Sequence, residues 1–72
     1  MKTLVLAKNL QKLRKEKGLT QEELANKSGI AYTTLVKLEQ GILVNPTLKT
    51  LQKLADTFQI TFDELIKKNL ID

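Results

Sequence analysis

The chain has 72 residues, of which 42% are apolar, and it contains neither cysteine nor histidine. Its length and apolar content allow one small hydrophobic core, while the two missing residue types exclude disulfides, thiolate or imidazole catalysis and the usual zinc sites. Twelve basic and eight acidic residues give a net charge of +4, which suits a polyanionic partner but is also common in ordinary soluble proteins.

The first seventeen residues carry six basic side chains and one acidic side chain, so the basic excess lies at this end. Their apolar start, MKTLVLAK, is too short for a signal peptide or a membrane span, and we expect a cytoplasmic protein. Leu6, Leu10 and Leu13 recur at helical spacing and predict an amphipathic α-helix from about Leu4 to Glu16. The lysines of this helix form either a solvated face or a flank for nucleic-acid phosphates.

The second predicted helix begins with a capping box. The hydroxyl of Thr20 can accept the N–H of Glu23, and the side chain of Glu23 can accept the N–H of Thr20. We expect this helix to run from Gln21 to about Lys27, because Gly29 supplies the left-handed residue that often ends a helix.

A third helix is predicted from about Ala31 or Tyr32 to Gln40, with Gly41 ending it. Its inward stripe is apolar and consists of Ala31, Leu35 and Leu38. Its outward face consists of Thr33, Val36, Lys37 and Gln40. This outward face has little charge, and its mixture of small or branched residues with one cation and one amide suits the reading of base edges.

The segment after Gly41 begins with an apolar run of three residues, Ile42, Leu43 and Val44. An exposed apolar patch usually has a partner, so this run either packs beneath the domain or forms part of a dimer contact. Leu70 and Ile71, near the end of the chain, likewise either complete the core or contact another subunit.

Two further helices are predicted in the last third of the chain. Thr47 is a good N-cap for a helix of about eleven residues. The apolar positions of that helix are Leu48, Leu51, Leu54, Ala55 and Phe58. A second capping box, made by Thr61 and Glu64, opens a last helix that we expect to continue to about Lys68.

The stretch from Thr20 to Gly41 contains TQEELA, Gly29 and LxxLEQG, and Asn45-Pro46-Thr47-Leu48 follows it. In order and spacing these motifs resemble the helix-turn-helix of the Cro/CI family, which is also called lambda-repressor-like or XRE. The resemblance implies an all-α, compact five-helix lambda-repressor-like domain over residues 1–72. Its helix-turn-helix, at about residues 20–40, is formed by helices 2 and 3. In that family the fold binds operator DNA as a dimer, with the third helix in the major groove.

The resemblance also assigns DNA contacts to particular positions. Tyr32, Thr33 and Lys37 match the first, second and sixth positions of the recognition helix, where family members read bases. Lys37 can donate to O6 and N7 of guanine, and Thr33 and outward Val36 can touch a thymine methyl group. For each of these four residues, the alternative is an ordinary exposed side chain.

Phosphate contacts are expected at both ends of the helix pair. Gln21 lies at the start of the second helix, where free N–H groups and the helix dipole favour phosphate. The candidates near the other end of the recognition helix are Gln40, Asn45, Thr47 and Lys49. Thr47 can instead serve only as a helix cap.

Arg14 and Glu39 match positions at which many family members have an arginine and a glutamate. We expect them to form a partly buried, bidentate ion pair that joins the first helix to the third. We therefore interpret Arg14 as a structural residue and not as a DNA contact.

These residues predict a sequence-specific, repressor-like transcriptional regulator that binds double-stranded DNA as a homodimer on a palindromic operator. We expect no metal, cofactor, membrane or small-molecule ligand. The alternative is a protein-interaction module on the same scaffold, such as an antitoxin or regulator antagonist, which the apolar segments at 42–44 and 70–71 favour. An enzyme is disfavoured because the chain has no nucleophile with a base and no glycine-rich phosphate loop. RNA binding is disfavoured because one tyrosine and two phenylalanines provide no stacking platform.

Overall fold

The computed structural model describes residues 3–42 and 46–67. These residues form five helices and no strand: α1 Thr3–Glu16, α2 Gln21–Ser28, α3 Tyr32–Gln40, α4 Leu48–Phe58 and α5 Phe62–Ile66. The predicted all-α, five-helix architecture is therefore confirmed. The predictions for Leu43, Val44, Asn45, Leu70 and Ile71 concern residues outside the described ranges. Within the described ranges, every helix falls short of the length and apolarity that a bilayer crossing requires.

Threonine side chains fix the starts of three helices. At α2 the hydroxyl of Thr20 accepts the Glu23 N–H at 3.1 Å, and the Glu23 carboxylate accepts the Thr20 N–H at 2.8 Å. The same reciprocal pair opens α5, and at α4 Thr47 accepts the N–H of Thr50 at 3.1 Å. Each bond satisfies an N–H group that has no partner within its own helix, so these starts follow from local sequence.

Left-handed residues end α2, α3 and α4. Gly29 and Gly41 both have φ of 73°, and Gln59 takes the same region with φ of 58°. Between α2 and α3 the chain turns within three residues, which holds the two helices close together. The pair is therefore a helix-turn-helix, as predicted.

The last helix is shorter than predicted, because α5 ends at Ile66 and not near Lys68. Lys67 is already extended, with φ of −65° and ψ of 134°. The side-chain amide of Asn9, in α1, donates to the carbonyls of Leu65 and Lys67 at 2.7 and 2.8 Å. This contact with α1 satisfies the Leu65 carbonyl near the end of α5 and the Lys67 carbonyl just after it, which favours the end of the helix at this point.

The core is built from apolar side chains of all five helices. Its buried members are Leu6, Leu10, Leu24, Ala25, Leu35, Leu38, Leu51, Leu54, Ala55, Phe58 and Leu65. Two apolar positions were assigned wrongly from the sequence. Ala31 is exposed because it precedes α3 in an extended conformation and does not follow the helical stripe. Leu48 is 68% exposed because it is the first residue of α4, one turn before the first core position, Leu51.

Helix α3 is supported from behind by two neighbours. Its buried side, which contains Leu35 and Leu38, packs on α1 and α2. Helix α4 completes the fold by packing on α2 and α5, and α5 returns to α1. The outer side of α3 is left at the molecular surface.

Candidate nucleic-acid interface

The outer face of α3 contains the four residues that the sequence assigned to base reading. Tyr32 is 49% exposed, Thr33 and Lys37 are also exposed, and Val36 is half-buried. Gln40, one turn further along, is exposed as well. Among the described residues, none of the polar side chains on this face has a hydrogen-bond or ion-pair partner. These groups are therefore available to a ligand.

The same face contains a shallow open depression of about 280 Å³. Its walls are mainly apolar and are formed by Tyr32, Thr33, Val36, Lys37, Gln40 and Ile42. The presence of Ile42 was not expected, because the sequence placed it at a dimer contact or beneath the domain. Ile42 is 60% exposed and lies beside the α3 face.

The buried side of α3 is held by a carboxylate. Glu39 is 3% exposed and accepts two hydrogen bonds from Arg14, from Nε at 2.7 Å and from Nη2 at 3.1 Å. Nη1 of Arg14 donates to the carbonyl of Leu19 at 2.9 Å. The guanidinium thus uses its planar fork to join α1, the turn before α2, and α3.

Two glutamines complete this arrangement. Nε2 of Gln21 donates to Oε1 of Glu39 at 3.1 Å, and Nε2 of Gln11 donates to the Glu39 backbone carbonyl. Gln21 was predicted to contact phosphate, and its amide gives one of its two N–H groups to Glu39. The other N–H remains available at the start of α2. The sequence did not indicate that either glutamine joins the helices behind the recognition face.

The start of α2 combines groups that attract phosphate with groups that repel it. The first N–H groups of a helix have no intrahelical partner and lie at the positive end of its dipole. However, Glu22 and Glu23 are exposed in the same turn. Hydrogen bonds from the backbone and the side chain of Thr20 lower the pKa of Glu23, so this carboxylate is charged at neutral pH. The two carboxylates therefore offset part of the dipole.

The remaining phosphate candidates lie at or beyond the other end of α3. Gln40 and Lys49 are exposed, and their polar ends have no partner within the described ranges. Thr47 is exposed too, but its hydroxyl accepts the Thr50 N–H at 3.1 Å and donates to the Thr50 hydroxyl at 2.9 Å. Thr47 therefore acts as the cap of α4. Its hydroxyl hydrogen points to Thr50 and would have to rotate away before it could donate to a phosphate.

Asn9 is a further structural residue that the sequence interpretation missed. It is fully buried in α1, where its amide nitrogen holds the end of α5 and its Oδ1 has no hydrogen-bond partner. One signal was available, since Asn9 lies three residues after Leu6 and four before Leu13, on the apolar stripe of α1. A polar residue at such a position is buried and requires a partner.

Two short helices joined by a three-residue turn, with the buried side of the second helix held by hydrogen bonds and its outer face exposed, define a DNA-binding protein of the helix-turn-helix class. Residues 10–65 match the family model described as Helix-turn-helix, HTH_3. The chain therefore belongs to this family of DNA-binding transcriptional regulators, which confirms the resemblance to the Cro/CI type. Family members and relatives are regulators and not enzymes.

One relative is the uncharacterised HTH-type transcriptional regulator y4dJ of Sinorhizobium fredii. It is 44% identical over 62 residues, which cover 86% of this chain and 79% of the relative. Among solved structures, the hypothetical transcription factor NHTF from Neisseria matches with a TM-score of 0.88 at 28% identity, covering 97% of this chain and 79% of the other. A SinR protein/SinI protein complex matches with a TM-score of 0.84 at 28% identity, covering 93% and 67%. The chain spans about half the length of several other curated relatives.

Proposed function

We propose that this chain recognises a specific operator sequence by inserting α3 into the major groove of DNA. The observation that carries the proposal is the outer face of α3, whose polar groups have no partner among the described residues although the rear of the helix is tightly held. On this face Lys37 donates to a guanine, and Thr33 and Val36 contact thymine methyl groups. Tyr32, at the start of the helix, reaches a base, a sugar or a phosphate.

Phosphate contacts orient α3 in the groove. Gln21 contacts the backbone with the amide N–H that Glu39 does not use, while Gln40 and Lys49 contact it beyond the other end of α3. Such contacts position a protein without reading sequence. Each neutralised phosphate releases counterions, so affinity should fall as salt is raised.

Two copies of the chain bind one operator. Helix α3 has nine residues and is about 13 Å long, so it passes only about four base pairs at 3.4 Å each. Two copies on a palindrome, with half-sites about one helical turn apart, double the sequence that is read. Occupation of such a site near a promoter blocks transcription, which is the repressor-like role that we assign.

The test is selection of bound DNA from a random pool, followed by titration of two variants against the selected site. Lys37→Ala should relax the preference at one base pair per half-site, with a loss of about 1–3 kcal/mol for the preferred base. Gln21→Ala should weaken selected and unrelated DNA by the same factor. Because Gln21 also bonds to Glu39, circular dichroism must first establish that this variant is folded. Equal losses on all sequences from both variants would contradict these roles.

A second candidate is a protein-interaction module. A solved neighbour is a complex between the SinR and SinI proteins, and exposed Ile42 offers this chain an apolar contact residue. In this role the scaffold binds another protein, as an antitoxin or a regulator antagonist does. The same selection separates the two candidates, because a module of this kind enriches no DNA motif even at low salt.

A further inference from the structure

The reading face of α3 continues beyond the last residue of the helix. Gly41 has φ of 73°, its N–H donates to the Leu38 carbonyl, and the Ile42 N–H donates to the Lys37 carbonyl at 3.1 Å. These are the two bonds of a Schellman motif. They anchor the backbone N–H of Ile42 to the last turn of α3, so this residue directly continues the end of the helix.

The Schellman motif also explains why Ile42 lies beside Val36. In this motif the residue after the left-handed glycine commonly makes an apolar contact with the last full turn of the helix. Ile42 and Val36 occupy those two positions, and both line the depression on the outer face. Ile42 keeps 60% of its surface exposed, so the depression offers exposed apolar surface.

We propose that this depression receives the 5-methyl group of a thymine, and that Ile42 is a specificity-determining residue at its edge. The inference rests on the proposed function, which places the same face in the major groove. Among the groups that base pairs present there, the thymine methyl is the apolar one. An apolar wall favours it, whereas a donor or acceptor placed against that wall would lose hydration without gaining a hydrogen bond.

The position of the depression argues against Ile42 as a contact between two copies of the chain. Thr33 and Lys37 line the same depression. A second copy seated on it would cover both residues and would compete with DNA. Lys37 also adds a positive charge beside the apolar wall, which suits DNA better than an apolar partner surface. The partner that best fits this depression is therefore the edge of a base in the major groove of DNA.

The experiment combines removal of the methyl group with truncation of its wall. Each thymine of the selected operator is replaced in turn by deoxyuridine, which lacks only the 5-methyl group, and Kd is measured for each duplex. For the unmodified protein we expect a loss of about fourfold at one or two positions, the effect of one buried methyl group. Ile42→Ala should bring the thymine-to-uracil ratio at that position close to one, and Val36→Ala should reduce it.

Leu48→Ala is the matched control, because Leu48 is a similarly exposed apolar residue that does not line the depression. This variant should keep the fourfold ratio whatever its effect on overall affinity. Two results would overturn the inference while leaving the proposed function intact: a selected operator indifferent to every uracil substitution, or Ile42→Ala weakening self-association while the ratio is unchanged. Failure to select any operator would instead remove the proposed function itself.

Discussion

Removal of the Glu39 carboxylate is the sharpest test of how α3 is held. This group is 3% exposed and accepts three side-chain hydrogen bonds, two from Arg14 and one from Gln21. In Glu39→Ala the Arg14 guanidinium stays largely buried, and the Leu19 carbonyl remains as its bonding partner. A buried cation without its counter-charge is strongly unfavourable.

The expected loss in the free energy of unfolding is about 3–5 kcal/mol, as found when one partner of a buried ion pair is removed. A domain of this size has a total free energy of unfolding of only about 4–11 kcal/mol, from roughly 0.05–0.15 kcal/mol per residue. Glu39→Ala should therefore lose at least about a quarter of the free energy of unfolding. The ion pair of Lys12 and Glu16, at 3.5 Å and exposed, provides the control, because Lys12→Ala should cost less than about 1 kcal/mol.

Urea unfolding followed by far-ultraviolet circular dichroism measures both variants. The double variant Arg14→Met with Glu39→Met adds a second check, because replacing both charges by apolar groups should recover much of the loss. A cost for Glu39→Ala no larger than that for Lys12→Ala would refute the view that this pair holds α3. A double variant as unstable as the single one would show that the charge left behind is not the cause.

Two further predictions concern the helix ends. Asn9→Asp should lower the free energy of unfolding by about 1–3 kcal/mol, because carboxylate oxygen replaces the donor to the Leu65 carbonyl, and urea unfolding measures the change. The second concerns Glu23, whose pKa the Thr20 hydrogen bonds lower from its ordinary value of 4.5. The stability that this lowering provides is complete above pH 4.5 and should be lost as pH falls through the folded pKa. In Thr20→Ala, nuclear magnetic resonance titration should show the pKa of Glu23 raised and that of Glu64 unchanged.

Each of these predictions has a result that contradicts it. An Asn9→Asp protein as stable as the unmodified chain would mean that the amide does not hold the end of α5. For the capping box, equal movement of both carboxyl groups in Thr20→Ala would indicate a general effect of unfolding. Thr61→Ala is the matched partner, because it removes the cap of α5 and should move the pKa of Glu64 alone.

Helix boundaries could be predicted well where the determinants are local. Thr20 and Thr61 carry their capping partners three residues away, and the glycines after α2 and α3 mark ends that depend only on backbone conformation. Apolar periodicity also identified most core positions. It failed for Ala31 and Leu48, which lie at helix starts, where spacing alone does not tell whether a side chain has entered the core.

Polar contacts between residues far apart in the chain could not be predicted from the sequence alone. Asn9 meets residues 56 and 58 positions away, and Gln11 meets a carbonyl 28 positions away. No local pattern encodes such a pairing, and the pair of Arg14 and Glu39 was expected only through a family resemblance. The location of Ile42 was missed for another reason, since residues 42–44 were treated as one apolar segment, whereas the Schellman bonds at Gly41 tie Ile42 itself to α3.

The buried ion pair of Arg14 and Glu39 and the exposed outer face lie on different sides of one nine-residue helix. No hydrogen bond or ion pair in the described ranges joins a side chain of that outer face to the rest of the fold. In the proposed role, substitutions on the outer face can therefore change the DNA sequence that is recognised while the contacts that hold the helix stay unchanged. After gene duplication, a few substitutions on this face would then be enough for one copy to recognise a new DNA sequence, and no intermediate in that change would lose the stability of the fold.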